Sequence, residues 1–135
     1  MTRTEILAMV PGREMEAVVA RTIGWKNVHE ARTVSEEGLF TQFIGSAPSD
    51  GEGVVRDLPN YSIDHGAAVE AADTFCRSKG LDYYTEYDAR SQKYDVYMWN
   101  SEIQAGANSG ASIGLPGLAF AICRAILLVA QETAK

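Results

Sequence analysis

Apolar positions recur along this chain at two spacings. From Gly12 to Gly24, the residues Met15, Val18, Val19, Thr22 and Ile23 fall near i, i+3, i+4, i+7 and i+8. That spacing predicts a helix with one buried face. Pro11 or Gly12 opens it, Glu14 and Glu16 suit its positive end, and Gly24 closes it. A second helix is expected between Ser62 and Gly80. Its narrow apolar stripe is Ala68, Val69, Ala72, Phe75 and Cys76, with Glu70, Asp73 and Arg77 outside it. Ser62 or Asp64 can cap its start, and Gly80 stops it.

Elsewhere the spacing is two. Asn27–Val34 and Leu39–Gly45 read as strands joined by the turn SEEG. The second, LFTQFIG, is apolar on both sides, which predicts a sheet covered on both faces. A later hairpin joins LDYYTEYD to KYDVYMWN through a turn at Ala89–Gln92. In its last strand Tyr94, Val96 and Met98 face one way, and Tyr97 and Trp99 the other. Two aromatics on that second face need a cover: another layer, a partner chain or a ligand. Ser46–Pro59 reads as a loop and is expected to be the most mobile stretch, with Arg56 as its lone cation. Arg56 is either a solvated loop charge or a ligand contact. Trp25, at a helix-to-strand joint, is read as a core anchor rather than a ligand platform.

The last segment breaks both rhythms. Gly110–Ala130 reads GASIGLPGLAFAICRAILLVA: a glycine-rich loop, a proline-marked start and a nearly all-apolar helix. Such a helix must be buried on every side, in a core or against a partner subunit. Its one charge is Arg124, which cannot shed its proton and needs acceptors. Arg124 either snorkels out or pairs with a carboxylate inside the fold, or it meets a ligand bearing phosphate or adenine. The preceding SEIQAGANSGASIGLPG can offer backbone N–H groups to an anion, or can be a plain connector. It lacks the lysine ending of a P-loop and sits in no βαβ unit. The resulting order is α-β-β-α-β-β-α. It predicts an α+β layered sandwich over residues 1–135, with a mostly antiparallel four-stranded sheet and helices packed on it.

Composition narrows the function. The 135 residues suit one domain, and 46% hydrophobic against 22% charged content describes a globular chain. A net charge of −6 speaks against polymeric nucleic acid and acidic membrane as partners. It leaves room for a small anion met by a few arginines and backbone amides. Cys76 and Cys123 fall on apolar helix faces and are read as reduced thiols of a cytoplasmic protein. The opening MTRTEILAMV has no signal-peptide pattern, and the C-terminal apolar run is too interrupted for a membrane span.

Catalytic patterns are missing. His29 and His65 lie in different segments, outside any triad or HExxH pattern, and the cysteines lack CxxC spacing. No enzyme, metal site or cofactor is expected. What remains suits a bound nucleotide: aromatic and guanidinium planes for a base, N–H groups for phosphate, and amides such as Asn108 for ribose.

Three segments carry a resemblance: LAMVPGREMEAVVARTIGW, LPNYSIDHGAAVEAA and GLAFAICRAILLVA. In that order and spacing they resemble the phage ABA-sandwich domain family, and together they span most of the chain. Its members look like phage Thoeris anti-defence sponge proteins of the first type. The resemblance implies a protein in the host bacterial cytoplasm that sequesters a cyclic ADP-ribose isomer made by a TIR-domain immune enzyme. It implies binding without cleavage, a homodimer with ligand pockets at its interface, and a homohexamer in some members. Some members also bind cyclic oligonucleotides at separate sites. The family holds an adenine between an aromatic ring and an arginine. The matching positions are Tyr97 or Trp99 and Arg124, with Asn108 as a polar contact. The family has an acidic residue one turn past that arginine, where Leu128 stands here. The competing readings are a phage structural or protein-partner module without a nucleotide ligand, and a hydrolase of the same signal.

Overall fold

The computed structural model describes residues 1–51, 53–101, 104–108 and 115–133, with residues 33, 104–108, 115 and 116 described as backbone only. The fold is α+β, as the residue pattern predicts. Its elements are α1 (Arg3–Ala8), α2 (Arg13–Thr22), β1 (Lys26–Ser35), β2 (Gly38–Ser46), β3 (Arg56–Asp57), α3 (His65–Lys79), β4 (Asp82–Asp88), β5 (Lys93–Trp99), β6 (Gln104–Asn108) and α4 (Leu115–Thr133).

The strands do not form one four-stranded sheet. They make two three-stranded antiparallel sheets, β1-β2-β3 and β4-β5-β6. Each hairpin, separated from the other by α3, recruits its own third strand. β3 comes from the expected loop 46–59, and β6 from the glycine-rich stretch after the second hairpin. Both are built of residues without clear alternation, which is why period-two reasoning passes over them.

The helix ends follow local chemistry. Thr2 and Glu5 form a reciprocal capping box on α1: the Thr2 hydroxyl accepts from the Glu5 N–H at 3.1 Å, and the Glu5 carboxylate from the Thr2 N–H at 3.2 Å. These bonds hold the Glu5 carboxyl below its ordinary range. Asp64 caps α3 by accepting from the Ala67 N–H, and Gly80 ends it at φ 66, where a Cβ would be strained.

The centre of the molecule is α4. It packs against β5 and β6 and against α1, α2 and α3. Ala119, Ala121, Ile122, Cys123, Ala125 and Ile126 are fully buried. The helix is apolar all round because its own chain surrounds it. No helix among the described residues is long and apolar enough to cross a membrane.

A polar staple ties α2 to the segment entering α3. Glu16 is 1% exposed. One of its carboxylate oxygens accepts from the Ser62 N–H (3.1 Å) and hydroxyl (2.7 Å), and the other accepts from Arg13 at 2.7 Å. Arg13 also donates to the Asn60 side chain at 2.7 Å and the Leu58 carbonyl at 3.2 Å. The Gly12 N–H donates to the Ser62 hydroxyl at 3.0 Å. A buried carboxylate is tolerated when its lone pairs are met in this way. The PGRE and LPNYS segments are therefore two halves of one structural device.

Two proton-bearing groups make the fold sensitive to alkali. Burial, with help from Asp73 and Asp82, pushes the Cys76 thiol up to about 11. Burial and the 2.7 Å bond to Asp73 push the Tyr83 hydroxyl up to about 12. Both hold their protons more tightly folded than unfolded. Their stabilisation is complete below the ordinary values, near 9 for a thiol and 10 for a phenol, and drains as pH climbs to about 11 and about 12. Thermal melts should show a flat Tm up to about pH 9 and a fall above it. Cys76→Ala should flatten the first part of that fall.

Candidate functional site

Arg124 lies on α4 beside α1. It is half-buried; its guanidinium carbon sits 4.7 Å from the centroid of the Phe120 ring, and it donates to the Leu7 carbonyl at 3.3 Å. Burial lowers its pKa. It lines neither the cleft beside Trp25 nor the hollows at the α1–α2 junction and beside Leu127.

Tyr97 and Trp99 lie elsewhere. Along β5 the fully buried Val96 and Met98 join the core that α4 also fills. Tyr97 and Trp99 alternate with them, so they face outward from the second sheet. One protomer therefore does not assemble an aromatic–Arg124 sandwich. The backbone of Asn108 pairs with Asp95 at the sheet's edge; its side chain lies outside what is described, as does the glycine-rich stretch 109–114.

Arg56 is the nominated residue that faces a cleft. β3 holds it in register with Gly45 of β2. Its guanidinium carbon lies 5.2 Å from the centroid of the Trp25 ring, a cation–π stack. Its Nε meets an Asp50 carboxylate oxygen at 3.1 Å. That oxygen makes no well-aligned hydrogen bond, so the contact is ionic. The other guanidinium nitrogens meet no protein acceptor among the described residues.

The cleft beside this pair has a volume of about 190 Å³. Pro48, Ser49, Tyr61, Glu70 and Thr74 are among its walls. Tyr61 is anchored from both ends: its hydroxyl accepts from the Trp25 indole N–H at 3.1 Å, and its carbonyl accepts from the Cys123 thiol at 3.2 Å. Burial raises the Tyr61 pKa, so its hydroxyl keeps its proton. No described residue accepts that proton. The cleft thus offers an aromatic-backed cation, a neutral O–H donor and, at Glu70, an acceptor. The polar staple sets this geometry, because Tyr61 directly precedes Ser62.

Two larger hollows are chemically poorer. One, about 490 Å³, lies where α1 meets α2, and its cation Arg13 is already consumed by Glu16, Asn60 and Leu58. The other, about 370 Å³, is walled by Ile6, Val18, Leu127 and similar residues, with no charged side chain among them. Among the described residues, no three His, Cys, Asp or Glu side chains group as metal ligands. The Cys76 and Cys123 thiols are buried and held protonated, so neither is a ready nucleophile.

Sequence reasoning reached Arg56 as the lone cation of its loop. It read Trp25 only as a core anchor. The residue is 5% exposed and does anchor the core, yet one ring face carries Arg56. Tyr61 and Glu70 were passed over, because their meeting with Trp25 depends on contacts many residues apart.

Gly45 makes the stack possible. A Cβ there would stand 3.1 Å from a Val28 methyl, 3.2 Å from the Lys26 carbonyl and 3.3 Å from the Trp25 ring. Gly45→Val should cost about 1–3 kcal/mol through overpacking. It should also displace the indole, read as a shift in Trp fluorescence alongside a lower urea midpoint.

No protein-family model, curated protein or solved structure matches the chain.

Proposed function

We propose that this protein binds a small cyclic nucleotide signal in the Trp25–Arg56–Tyr61 cleft and holds it without cleaving it. The observation that carries this reading is the Arg56 guanidinium stacked on Trp25 in the wall of a cleft that Tyr61 also lines. A guanidinium backed by an aromatic suits both a planar base and a phosphate. The net charge of −6 repels anions in general, so an anionic guest needs such a local cation.

The resemblance to phage Thoeris anti-defence sponges supplies the ligand class: a cyclic ADP-ribose isomer from a TIR enzyme, or a cyclic oligonucleotide. A cleft of about 190 Å³ is smaller than the roughly 300–1,000 Å³ of whole-ligand pockets. It accepts one ring and leaves the remainder at the mouth, where a second copy would cover it. That agrees with a dimer whose pockets lie at the interface. The Asp50 contact to Arg56 is the lock a phosphate would compete for.

The protein-partner reading has its own support. The β1–β2 ribbon leaves Val34 81% and Leu39 62% exposed, a surface that suits another protein chain.

A thermal-shift screen of cyclic ADP-ribose isomers and cyclic oligonucleotides separates these readings. The expected result is a raised Tm with one class, and the same mass recovered intact after heat denaturation. A product that accumulates with time would make the protein a hydrolase, and no shift with any compound would leave the partner module.

A further inference from the structure

The Trp25 cleft carries both signs of charge, on different elements. β3 brings the Arg56 cation to its wall, and α3 brings the Glu70 carboxylate. Tyr61 feels both. After burial, which raises its pKa, and the Trp25 bond, which lowers it, Arg56 lowers it further and Glu70 raises it. Glu70 is exposed on α3 and joins neither ion pair of the described residues. Asp50 takes the Nε of Arg56, so the paired Nη atoms are the guanidinium's other donor edge. A carboxylate beside an anion site repels the guest unless the guest uses it as an acceptor. The hydroxyls of Ser49, Tyr61 and Thr74, which also line the cleft, can donate to an acceptor on any base, so they do not choose between bases.

Resting on the reading that this cleft binds a nucleotide, we propose that it selects guanine, with Glu70 as the residue that sets the choice. At about 190 Å³ the cleft accepts one ring, so one base decides what enters. Guanine carries two N–H donors side by side, at N1 and N2, and two acceptors on the adjoining edge, at O6 and N7. The first edge matches the two oxygens of a carboxylate, and the second matches the paired N–H groups of a guanidinium. Adenine reverses the pattern: its N1 lone pair would meet the carboxylate, and its N6 amino group the guanidinium. Turned to give N6–H to Glu70, it offers Arg56 a single ring nitrogen. Cytosine sets a lone pair beside its amino group, and uracil flanks its one N–H with carbonyls that a carboxylate repels. Of the two ligand classes above, this favours a cyclic oligonucleotide that carries guanine over a cyclic ADP-ribose isomer, whose base is adenine.

The test is titration of the full chain with cyclic di-GMP, cyclic di-IMP and cyclic di-AMP, which share one backbone and differ in the base edge. The indole N–H signal of Trp25 reports the cleft, and that of Trp99, on the other sheet, is the control. Wild type should bind the guanine ligand roughly ten- to a hundredfold more tightly than the adenine one. Hypoxanthine, which keeps O6, N7 and N1–H but lacks the N2 donor, should fall between them. Glu70→Gln is the discriminating variant. Its amide both accepts and donates, a pattern that fits adenine, so the guanine-to-adenine affinity ratio should fall roughly tenfold or more. The ratio is the readout because removing a negative charge helps every anion alike. Glu70 is exposed, so the melt without ligand should not move. Equal affinity for the guanine and adenine ligands in wild type, or a ratio unchanged in Glu70→Gln, would overturn the choice of base and leave the cleft as a nucleotide site. A Trp25 signal that no nucleotide of the screen moves would overturn the cleft reading itself, and this inference with it.

Discussion

Glu16→Ala is expected to lose about 3 kcal/mol of stability, read as a lower urea midpoint at unchanged m-value. The figure comes from what the substitution abandons. Ser62 is fully buried, and its N–H and O–H both donate to Glu16. Each orphaned buried donor costs on the order of 1–3 kcal/mol. Arg13 contributes little to the loss, because its side chain is 36% exposed and rehydrates. Glu16→Gln should lose less, since one amide oxygen can still serve Ser62 while the amide nitrogen faces the guanidinium. A loss under about 1 kcal/mol for the alanine variant would mean that water replaces the carboxylate, and the staple would not be structural. The expected cost also gives a physical reason for the PGRE and LPNYS segments to occur together: the Glu16–Ser62 pairing holds the fold and, through Tyr61, the cleft wall.

Trp25→Ala is expected to lose about 3–5 kcal/mol and all nucleotide binding, because one ring serves both core and cleft. The indole is nearly buried, donates to the Tyr61 hydroxyl at 3.1 Å and carries Arg56 on its face. Trp25→Phe separates the roles. It keeps an aromatic face for Arg56 but drops the N–H, for a loss of about 1 kcal/mol. Binding should weaken without vanishing, and melts with and without ligand read both effects. A phenylalanine variant that binds like wild type and is equally stable would remove Tyr61 from the account.

Much of the fold could be read from the residues because its signals are local. Asp64 and Gly80 mark the ends of α3, alternation sorts Val96 and Met98 from Tyr97 and Trp99, and the uniform apolarity of α4 announces a central helix. The capping box Thr2–Glu5 was equally local, but a helix of six residues gives no periodicity to notice. Sheet partnership is not local. Nothing in the alternation of β1 or β5 says which third strand will join it, and β3 has just two residues.

The site was legible only in part, for the same reason. Arg124 stood out by contrast with its apolar neighbours. Contrast along a sequence does not say where a side chain goes, and the structure lays this one over Phe120 and onto Leu7. Arg56 looked like an ordinary loop charge until β3 set it against Gly45 and Trp25. Glu16 was read as an acidic residue suiting the start of its helix, because its partner Ser62 lies 46 residues away. In each case the deciding contact was long-range, and residue type alone could nominate candidates but not pair them.

The decisive measurement is a side-by-side titration of the nucleotide found in the screen onto wild type, Arg56→Ala and Arg124→Ala, each checked for an unchanged melt without ligand. With the ligand seated on the Trp25 platform, Arg56→Ala should weaken binding roughly a hundredfold, the scale of a charge-assisted contact, while Arg124→Ala stays within a few-fold of wild type. The reverse pattern, binding lost with Arg124→Ala and kept with Arg56→Ala, would contradict the cleft assignment and move the ligand to α4.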